Sequence, residues 1–251
     1  MGYEEENMKA IDSWIEEGWE WGKPISEQEF LDAKEGKFSL FLTPTKPIPH
    51  HWLLPIKGKK VLGLAAGGAQ QIPILSALGA HCALMDLNGK QIASDMDFAL
   101  KHGYGLDIKQ ASFTEEFPFK DNTFDMVVNP VSLVYAEELE PIYEEIARVL
   151  KPNGVLLIGL DNGVNFLTDE NEEKIVFTYP FNPLVHEDQM RSLRESDAGV
   201  QFSHGLQESI GGLLRNGFVI EDIFEDTNGE GRLHEMKIPS FYVLKARLKK
   251  E

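Results

Sequence analysis

The residues best suited to chemistry in this sequence lie in and after one loop of small side chains. The stretch VLGLAAGGAQQ, residues 61–71, follows an apolar run with four such residues: Ala65, Ala66, Gly67 and Gly68. Small side chains let backbone N–H groups approach a ligand, and the start of a following helix adds partial positive charge. Asp86 ends the next apolar run, where a carboxylate can accept both hydroxyls of a ribose. Loop and acid together predict a site for a ribose-containing ligand.

Alternating strands and helices are needed to position this loop and acid. Short apolar runs predict strands at residues 60–65, 81–86, 106–112, 124–130, 154–160, 218–224 and 240–248. Helical periodicity lies at residues 70–79, 89–102, 137–150 and 206–216. This alternation predicts right-handed crossovers and a parallel sheet, in which ligands bind beyond the carboxyl ends of the strands. The turn-rich segment before the last strand predicts an antiparallel hairpin of the final two strands.

The apolar faces of two helices predict which side chains reach the core. The expected stripe in the helix at 89–102 consists of Ile92, Met96 and Leu100. The expected stripe in the helix at 137–150 consists of Ile142, Ile146, Val149 and Leu150.

Segments on either side of the alternating pattern are predicted to cover the site. Residues 1–56 predict a helical cover, in which the capping box of Ser26 and Glu29 begins one helix. Regular structure is not expected in the last part of this segment, the linker TPTKPIPHHWLLP at residues 43–55, because it contains prolines at 44, 47, 49 and 55. Residues 57–251 form the main domain, and the polar stretch 161–205 interrupts it as an ordered insertion. We expect cover and insertion to fold over the ligand and form a second pocket.

The bulk composition predicts a cytoplasmic protein that binds neither nucleic acid nor membranes. The chain of 251 residues has a formal net charge of −17, which repels phosphate backbones and anionic lipid. Its basic cluster KARLKK, at 245–250, is interpreted as the solvated end of an edge strand. No apolar run approaches the roughly 20 residues that span a bilayer, and the acidic N-terminus lacks a secretory pattern. The lone Cys82 excludes an internal disulfide framework, and no metal site is predicted.

Four stretches of the sequence, in order, carry a family resemblance: VLGLAAGGAQQ, LMDLN, FPFKDNTFDMVVNPVSLVY and IARVLKPNGVLLIG. Together they resemble class I S-adenosylmethionine-dependent methyltransferases over about residues 58–160. The resemblance implies an α/β, Rossmann-like fold with a seven-stranded, mostly parallel sheet, an antiparallel last strand and helices on both faces. It also implies S-adenosylmethionine as the cofactor. The methyl group would pass by in-line displacement to a small-molecule acceptor.

The resemblance further implies which residues bind the cofactor. The loop backbone would face the methionine half, and Asp86 would hold the ribose diol. Residues 87–88 and 112–113 would flank the adenine, and residues 129–131 would lie near the reactive methyl. The complete set is Ala65, Ala66, Gly67, Gly68, Ala69, Asp86, Leu87, Asn88, Ser112, Phe113, Asn129, Pro130 and Val131.

Several loop positions depart from the family pattern. Gly63 replaces an acid, which removes one partner for the ammonium group of the cofactor. Ala65 and Ala69 replace glycines, at an expected negative φ, and their methyl groups narrow the approach to the backbone. Ser112 stands where an acid is common beside the adenine.

The pattern assigns no catalytic residue, because methyl transfer from a sulfonium depends mainly on proximity and orientation. A general base helps only where the acceptor must lose a proton. Candidates on the acceptor side are Ser132, Tyr135 and His204, with His51 and Trp52 in the linker. Each has a structural alternative, such as a helix cap for Ser132, a packed ring for Tyr135 and surface or hydrogen-bonded roles for the histidines. An aromatic lid or the core face of an amphipathic helix would explain Trp14, Trp19 and Trp21.

Two other functions stay open at this point. A nicotinamide-dependent oxidoreductase would use a related sheet, but the G-x-G-x-x-G pattern of a pyrophosphate site is missing from the loop. A non-catalytic S-adenosylmethionine-binding protein is compatible with Gly63, Ala65 and Ala69. Both a monomer and a homodimer are compatible with the sequence.

Overall fold

A seven-stranded sheet forms the centre of the protein in the computed structural model, which describes residues 2–249. Its strands are β1 (Lys60–Leu64), β2 (His81–Asp86), β3 (Leu106–Gln110), β4 (Phe124–Asn129), β5 (Leu150–Asp161), β6 (Phe218–Asp226) and β7 (Phe241–Leu248). The strand order is β3-β2-β1-β4-β5-β7-β6. Strands β1 to β5 pair in parallel, whereas β7 is antiparallel to both β5 and β6. The predicted, mostly parallel sheet with its antiparallel hairpin is confirmed.

Helices surround this sheet along the described chain. They are α1 (Tyr3–Glu16), α2 (Glu27–Lys34), α3 (His50–Leu53), α4 (Gln71–Ala77), α5 (Gly89–His102), α6 (Glu140–Val149), α7 (Glu187–Glu195), α8 (Leu206–Arg215) and α9 (Gly231–Glu235). The predicted capping box begins α2, with Glu29 N–H donating to Ser26 Oγ at 3.2 Å and Ser26 N–H to Glu29 Oε2 at 2.8 Å. None of the helices described has the length and hydropathy of a membrane span.

Apolar side chains on both faces of the sheet form the core. Successive residues of a strand point to opposite faces, so Leu62 joins one cluster and Val61 the other. Helices α6 and α8 cover the first face, where Tyr143 and Leu213 are fully buried. The predicted stripe of this region is confirmed, because its members are all buried: Ile142, Ile146, Val149 and Leu150.

The second face is covered by α4, by α5 and by part of the N-terminal region. Leu42 and Trp52 are 1% and 3% exposed and pack in one cluster with Ile72 of α4. The linker was expected to lack regular structure, and this expectation is wrong. It contains α3, and its Pro47 forms an antiparallel bridge with Phe41. A proline directly before α3 is tolerated because the first N–H groups of a helix have no partner within it.

Helix α5 buries a different face from the predicted stripe. Met96 and Leu100 are 54% and 84% exposed, whereas Ile92, Asp95 and Phe98 are buried. The buried positions keep the three- and four-residue spacing of a helix face. The prediction was wrong because a carboxylate, Asp95, lies at the centre of that face and interrupts its apolar pattern.

Strand β7 is an inner strand, so its assignment to an edge was wrong. It lies between β5 and β6, and β6 forms the edge. Two basic side chains of β7 form ion pairs instead of being fully solvated: Lys245 and Arg247 contact Glu221 of β6 at 3.2 Å and 3.0 Å. Lys250 of the predicted basic cluster lies outside the described residues.

Candidate active site

The small-residue loop after β1 uses backbone conformations that favour glycine. Gly68 has a φ of 98°, and Ala65 and Ala69 have φ values of 45° and 56°. The expected negative φ at the two alanines is therefore wrong. A left-handed conformation costs an alanine about 1–2 kcal/mol, and it persists where surrounding contacts enforce it. The loop thus keeps a conformation suited to glycine although two of its positions carry a methyl group.

Gly67 and Asp86 meet at the carboxyl edge of the sheet. The Gly67 N–H donates to Asp86 Oδ2 at 3.0 Å, and the Asn88 N–H donates to Oδ1 at 2.9 Å. A Cβ atom at Gly67 would lie 2.8 Å from Asp86 Oδ2, so a larger residue does not fit here. Burial raises the pKa of the Asp86 carboxyl above its usual value, and the two backbone hydrogen bonds oppose this shift.

Asp95 is a second acid at this loop, which the sequence analysis missed. Its Oδ2 accepts a hydrogen bond from the Ala69 N–H at 2.8 Å, and its Oδ1 has no hydrogen-bond partner among the described residues. Burial raises the pKa of Asp95 to about 7, and the nearby charge of Asp86 adds to the shift. No local signal could have found it, because the tertiary contact with Ala69 places Asp95 in the buried face of α5.

A cavity of about 660 Å³ opens beside Asp86. Its volume lies within the range of about 300–1,000 Å³ that is typical of small-molecule sites. Most of the predicted cofactor residues line it: Ala65, Gly67, Asp86, Leu87, Asn88, Ser112, Phe113, Pro130 and Val131. The segments that follow β1, β2, β3 and β4 therefore share one cavity.

Four residues of the predicted set lie outside the cavity wall: Ala66, Gly68, Ala69 and Asn129. Asn129 is fully buried, and its Nδ2 donates to Leu64 O at 2.7 Å and to Ser132 Oγ at 2.8 Å. These bonds connect the segment after β4 to the end of β1. Within residues 2–249, no three His, Cys, Asp or Glu side chains form a cluster suited to a metal ion.

The structure separates the three catalytic candidates. Ser132 and Tyr135 line the cavity, and burial raises the pKa of Tyr135 well above its usual value. The Ser132 side chain makes no cap hydrogen bond to the short 3-10 helix that follows it. His204 lies outside the wall of this cavity, with Nδ1 3.0 Å from Glu208 Oε2 and Nε2 3.3 Å from Leu133 O.

Three tryptophans of the N-terminal region line the cavity: Trp14, Trp19 and Trp21. The rings of Trp14 and Trp19 meet edge to face, with centroids 5.4 Å apart. Trp52 instead packs in the core, and exposed His51 does not line the cavity.

Helix α1 lies against the segments that end β2 and β3. Glu4 accepts hydrogen bonds from Ser112 Oγ at 2.6 Å and from Thr114 Oγ1 at 2.8 Å. Asn88 Nδ2 donates to Asp12 Oδ1 at 2.8 Å. Glu4 also lines the cavity, so a carboxylate reaches Ser112 from a distant part of the chain.

The other side of α1 contacts the segment 161–205. Asn7 is 5% exposed, its Nδ2 donates to Val200 O at 2.9 Å, and the Val200 N–H donates to its Oδ1 at 2.6 Å. Trp14 Nε1 donates to Asp197 O at 3.1 Å. These contacts join the two segments predicted to cover the site.

Asp161 is a further buried carboxylate of the cavity that the sequence analysis did not select. It ends β5, is 9% exposed and lines the cavity. Its carboxylate accepts hydrogen bonds from the Gly163 N–H and from Asn165 Nδ2, the latter at 2.8 Å. Burial raises the pKa of Asp161 to about 6, and the charge of His204 opposes the shift. The available signal was an acid at the end of the apolar run VLLIGLD, as Asp86 ends that of β2.

Known proteins share sequence with this chain. The sequence model of a family described as a methyltransferase domain matches residues 62–158. An uncharacterized methyltransferase of Bacillus subtilis (strain 168), YbaJ, is 36% identical over 230 residues, which cover 89% of this chain and 90% of the relative. A sterol 24-C-methyltransferase of Gibberella zeae is 38% identical over 101 residues, which cover 39% of this chain and 26% of that protein.

Solved structures share the fold at lower sequence identity. An S-adenosylmethionine-dependent methyltransferase from Mesorhizobium loti matches with a TM-score of 0.63 at 18% identity, covering 78% of this chain and 94% of that one. The Bacillus subtilis relative extends the likeness in sequence along nearly the whole of both chains. The chain therefore belongs to the methyltransferase family, and its fold is that of class I S-adenosylmethionine-dependent methyltransferases.

Proposed function

We propose that this protein transfers the methyl group of S-adenosylmethionine to a small-molecule acceptor held in the same cavity. The observation that carries the proposal is the meeting of Gly67 and Asp86 at the cavity, 3.0 Å apart from N to Oδ2. S-adenosylmethionine supplies a methyl group already activated on a sulfonium. The protein then contributes mainly proximity and orientation, which are together worth about 7–11 kcal/mol.

The side chains at the ends of β1 and β2 fit an adenosyl group. We assign the Asp86 carboxylate to the ribose hydroxyls, because hydrogen bonds to a charged acceptor are strong. The Asp86 carboxylate can lie this close to the loop because Gly67 has no side chain. The backbone of residues 65–69 is assigned to the methionine half, and residues 87–88 to the adenine.

The segments after β3 and β4 complete the proposed cofactor site. Phe113 would pack on the other side of the adenine, with Ser112 beside it. The Glu4 carboxylate, held by Ser112, is suited to accept a hydrogen bond from the amino group of adenine. Pro130 and Val131 would lie near the reactive methyl group. Asn129 would act as a positioning residue through its hydrogen bonds to the backbone of β1 and to the Ser132 hydroxyl.

The cover and the insertion would enclose the acceptor above the main domain at 57–251. Contacts of residues 1–56 with residues 161–205, such as the Asn7 bonds to Val200, support this arrangement. A cavity of this volume lined by aromatic rings suits a small molecule better than a polymer. Met1, Lys250 and Glu251, which belong to these proposed units, lie outside the described residues.

The charge of the whole chain bears on its partners. A net charge of −17 supports a protein that binds neither nucleic acid nor anionic membranes. We propose that it works in the cytoplasm. We propose that it acts as a monomer or a homodimer.

Calorimetric titration with S-adenosylmethionine, S-adenosylhomocysteine and NAD tests the proposed function. We expect both sulfur-containing ligands to bind and NAD not to bind. Asp86→Ala should weaken the binding of S-adenosylhomocysteine by about 1–3 kcal/mol, roughly 5- to 150-fold, because a hydrogen-bonded charge is lost. Asp107→Ala, which removes an exposed acid of β3, should leave the dissociation constant unchanged.

Two results would contradict the proposal. NAD binding in place of the sulfur-containing ligands would favour the oxidoreductase alternative. An unchanged dissociation constant in Asp86→Ala, with the fold intact by circular dichroism, would remove Asp86 from the site.

A further inference from the structure

The cavity extends from Asp86 to the end of β5, where Asp161 lies. Strands β1 and β4 separate β2 from β5 in the sheet. Since neighbouring strands are about 4.8 Å apart, the strands that carry the two acids are roughly 14 Å apart. A ligand whose ribose is bound at Asp86 therefore leaves the β5 end of the cavity for a second molecule.

Asp161 keeps hydrogen-bond capacity for such a molecule. Within the described chain, its hydrogen-bond donors are the Gly163 N–H and Asn165 Nδ2. An ionised carboxylate accepts about four hydrogen bonds. Because the side chain is 9% exposed and lines the cavity, the remaining capacity is available to a guest in that cavity.

The titratable groups around Asp161 have protein partners of their own. His204, Tyr179 and Tyr242 are the groups coupled to Asp161 through charge. His204 pairs with Glu208 at 3.0 Å, and the Tyr179 hydroxyl donates to His204 O at 3.1 Å. The Tyr242 hydroxyl donates to a serine hydroxyl of α8 at 2.9 Å. Asp161 is thus the member of this group that both lines the cavity and lacks a cationic partner in hydrogen-bond contact.

The charge of the cavity wall limits what can bind beside Asp161. Its charged side chains are all acidic: Glu4, Asp86, Asp161 and Asp197. Among residues 2–249, no Lys, Arg or His belongs to the wall. A carboxylate or phosphate on the acceptor would therefore lose its hydration without gaining a cationic partner from the protein, and the acids would repel it.

Aromatic rings adjoin Asp161 within the cavity. Phe241 is its cross-strand neighbour on β7, and Phe166 follows it in the next short helix. Both rings line the cavity, as does Tyr135. Such walls favour a planar, apolar body, whose orientation is then fixed by a small number of polar contacts.

We propose that Asp161 binds the methyl acceptor through an O–H or N–H group, and that the acceptor is an aromatic molecule without an anionic group. This proposal rests on the proposed methyl transfer and names the acceptor class for it. Phenols and aromatic amines share the required chemistry, namely an apolar ring and a nucleophilic atom that carries a proton. Contact with Asp161 would orient that atom toward the cofactor end of the cavity. As the new C–O or C–N bond forms, the C–S bond of the sulfonium breaks, its electron pair stays on sulfur, and the Asp161 carboxylate accepts the proton of the acceptor.

Calorimetric titration of three naphthalene probes tests this proposal, both with and without S-adenosylhomocysteine. The probes are 2-naphthol, 1-naphthylamine and 6-hydroxy-2-naphthoate. We expect 2-naphthol or 1-naphthylamine to bind the wild-type protein at least roughly tenfold more tightly than 6-hydroxy-2-naphthoate. Comparing the affinities for 2-naphthol and 1-naphthylamine distinguishes an O–H acceptor from an N–H acceptor.

Asp161→Asn keeps the shape of the side chain and removes its charge. We expect it to weaken binding of the preferred neutral probe roughly tenfold at about pH 8. In the wild-type protein this affinity should fall as the pH drops through about 6, where Asp161 takes up a proton, and in Asp161→Asn it should not. Asp188→Asn, which removes an exposed acid from the same insertion, should match the wild type. Thermal unfolding monitors the fold of both variants.

Three outcomes would overturn the proposal. In the first, the wild type and Asp161→Asn bind the neutral probes with equal affinity. In the second, the wild type binds the naphthoate as tightly as the naphthol. In the third, neither neutral probe binds. Failure of S-adenosylhomocysteine to bind would instead contradict the proposed methyl transfer. The titrations without that ligand would still decide whether Asp161 binds an aromatic guest.

Discussion

The backbone of the loop at 65–69 is strained, and neighbouring residues hold it in place. The Ala65 N–H donates to Met85 O at 2.7 Å, and the Ala69 N–H donates to Asp95 Oδ2 at 2.8 Å. Both alanines have positive φ. Strain of this kind gathers at ligand-binding segments, where the surrounding structure maintains it.

Replacing Ala65 by glycine tests this strain. Glycine adopts a φ of 45° without a Cβ clash, which stabilises the folded state by about 1–2 kcal/mol. Its greater freedom in the unfolded chain offsets about 0.4–1 kcal/mol of this gain. We expect Ala65→Gly to raise the free energy of unfolding by about 0.5–1 kcal/mol, measured by urea denaturation. Ala66→Gly, at a position without positive φ, should lower it. An equal decrease in the free energy of unfolding in both variants would show that Ala65 is not strained.

Asp95 should make the stability of the protein depend on pH. Because burial raises its pKa from 3.8 to about 7, the folded state binds the proton more tightly than the unfolded state. This acid therefore makes the folded protein less stable as the pH rises between about 4 and about 7. Asp95→Asn removes the dependence. We expect the free energy of unfolding of the variant, relative to the wild type, to rise by about 1–3 kcal/mol from about pH 5 to about pH 8.

Urea denaturation at the two pH values measures this difference for Asp95→Asn. Asp97→Asn is the matched control, since it removes an exposed acid from the same helix. The difference in unfolding free energy between Asp97→Asn and the wild type should be the same at both pH values. A difference that stays constant in Asp95→Asn would mean that Asp95 remains ionised in the folded protein throughout the range.

Among the secondary-structure elements, α1 is held to the rest of the protein by hydrogen bonds and by the ring of Tyr3, which meets Phe202 edge to face. Of the residues in Tyr3–Glu16, Asn7 is the buried one. Hydrogen bonds of Glu4 and Asp12 hold one side, and those of Asn7 hold the other. A helix with a single buried residue opens at a lower free-energy cost than the elements of the core. This element is therefore suited to admit ligands to the cavity that it covers.

Asn7→Ala should loosen α1 without unfolding the sheet. The change leaves the Val200 N–H and C=O without their side-chain partners. We expect amide hydrogen exchange to become roughly fivefold or more faster throughout α1 and to stay unchanged in α5, as measured by mass spectrometry. Ser13→Ala, at an exposed position of the same helix, should exchange like the wild type. Equal exchange in Asn7→Ala and the wild type would show that other contacts hold α1.

Local patterns explain which elements the sequence predicts. Strands such as β1 and β4 contain short apolar runs, and the capping box of α2 lies within four residues, so both are visible without the fold. The face of α5 was predicted wrongly because Asp95 is buried by a tertiary contact with Ala69 that no local pattern contains. The same applies to α3, where Trp52 and Leu53 are buried against the sheet although prolines surround the helix.

At the scale of the whole molecule, the cavity is built from distant parts of the chain. Gly67 and Asp86 were predictable because one follows β1 and the other ends β2, and these strands are neighbours in one βαβ unit. Glu4 was not, since the sheet and the helices together bring it to Ser112. Asp161 was missed because its role depends on the aromatic neighbours that β7 and the insertion supply. The acidic character of the cavity likewise emerges only when these segments are folded together.

The most direct test of the central claim is a crystal structure of the protein with S-adenosylhomocysteine. We expect both ribose hydroxyls to lie within hydrogen-bond distance of the Asp86 carboxylate, and the amino acid half of the ligand to lie against the backbone of residues 65–69. A ligand bound elsewhere, or a ribose out of contact with Asp86, would rule out the proposed cofactor site.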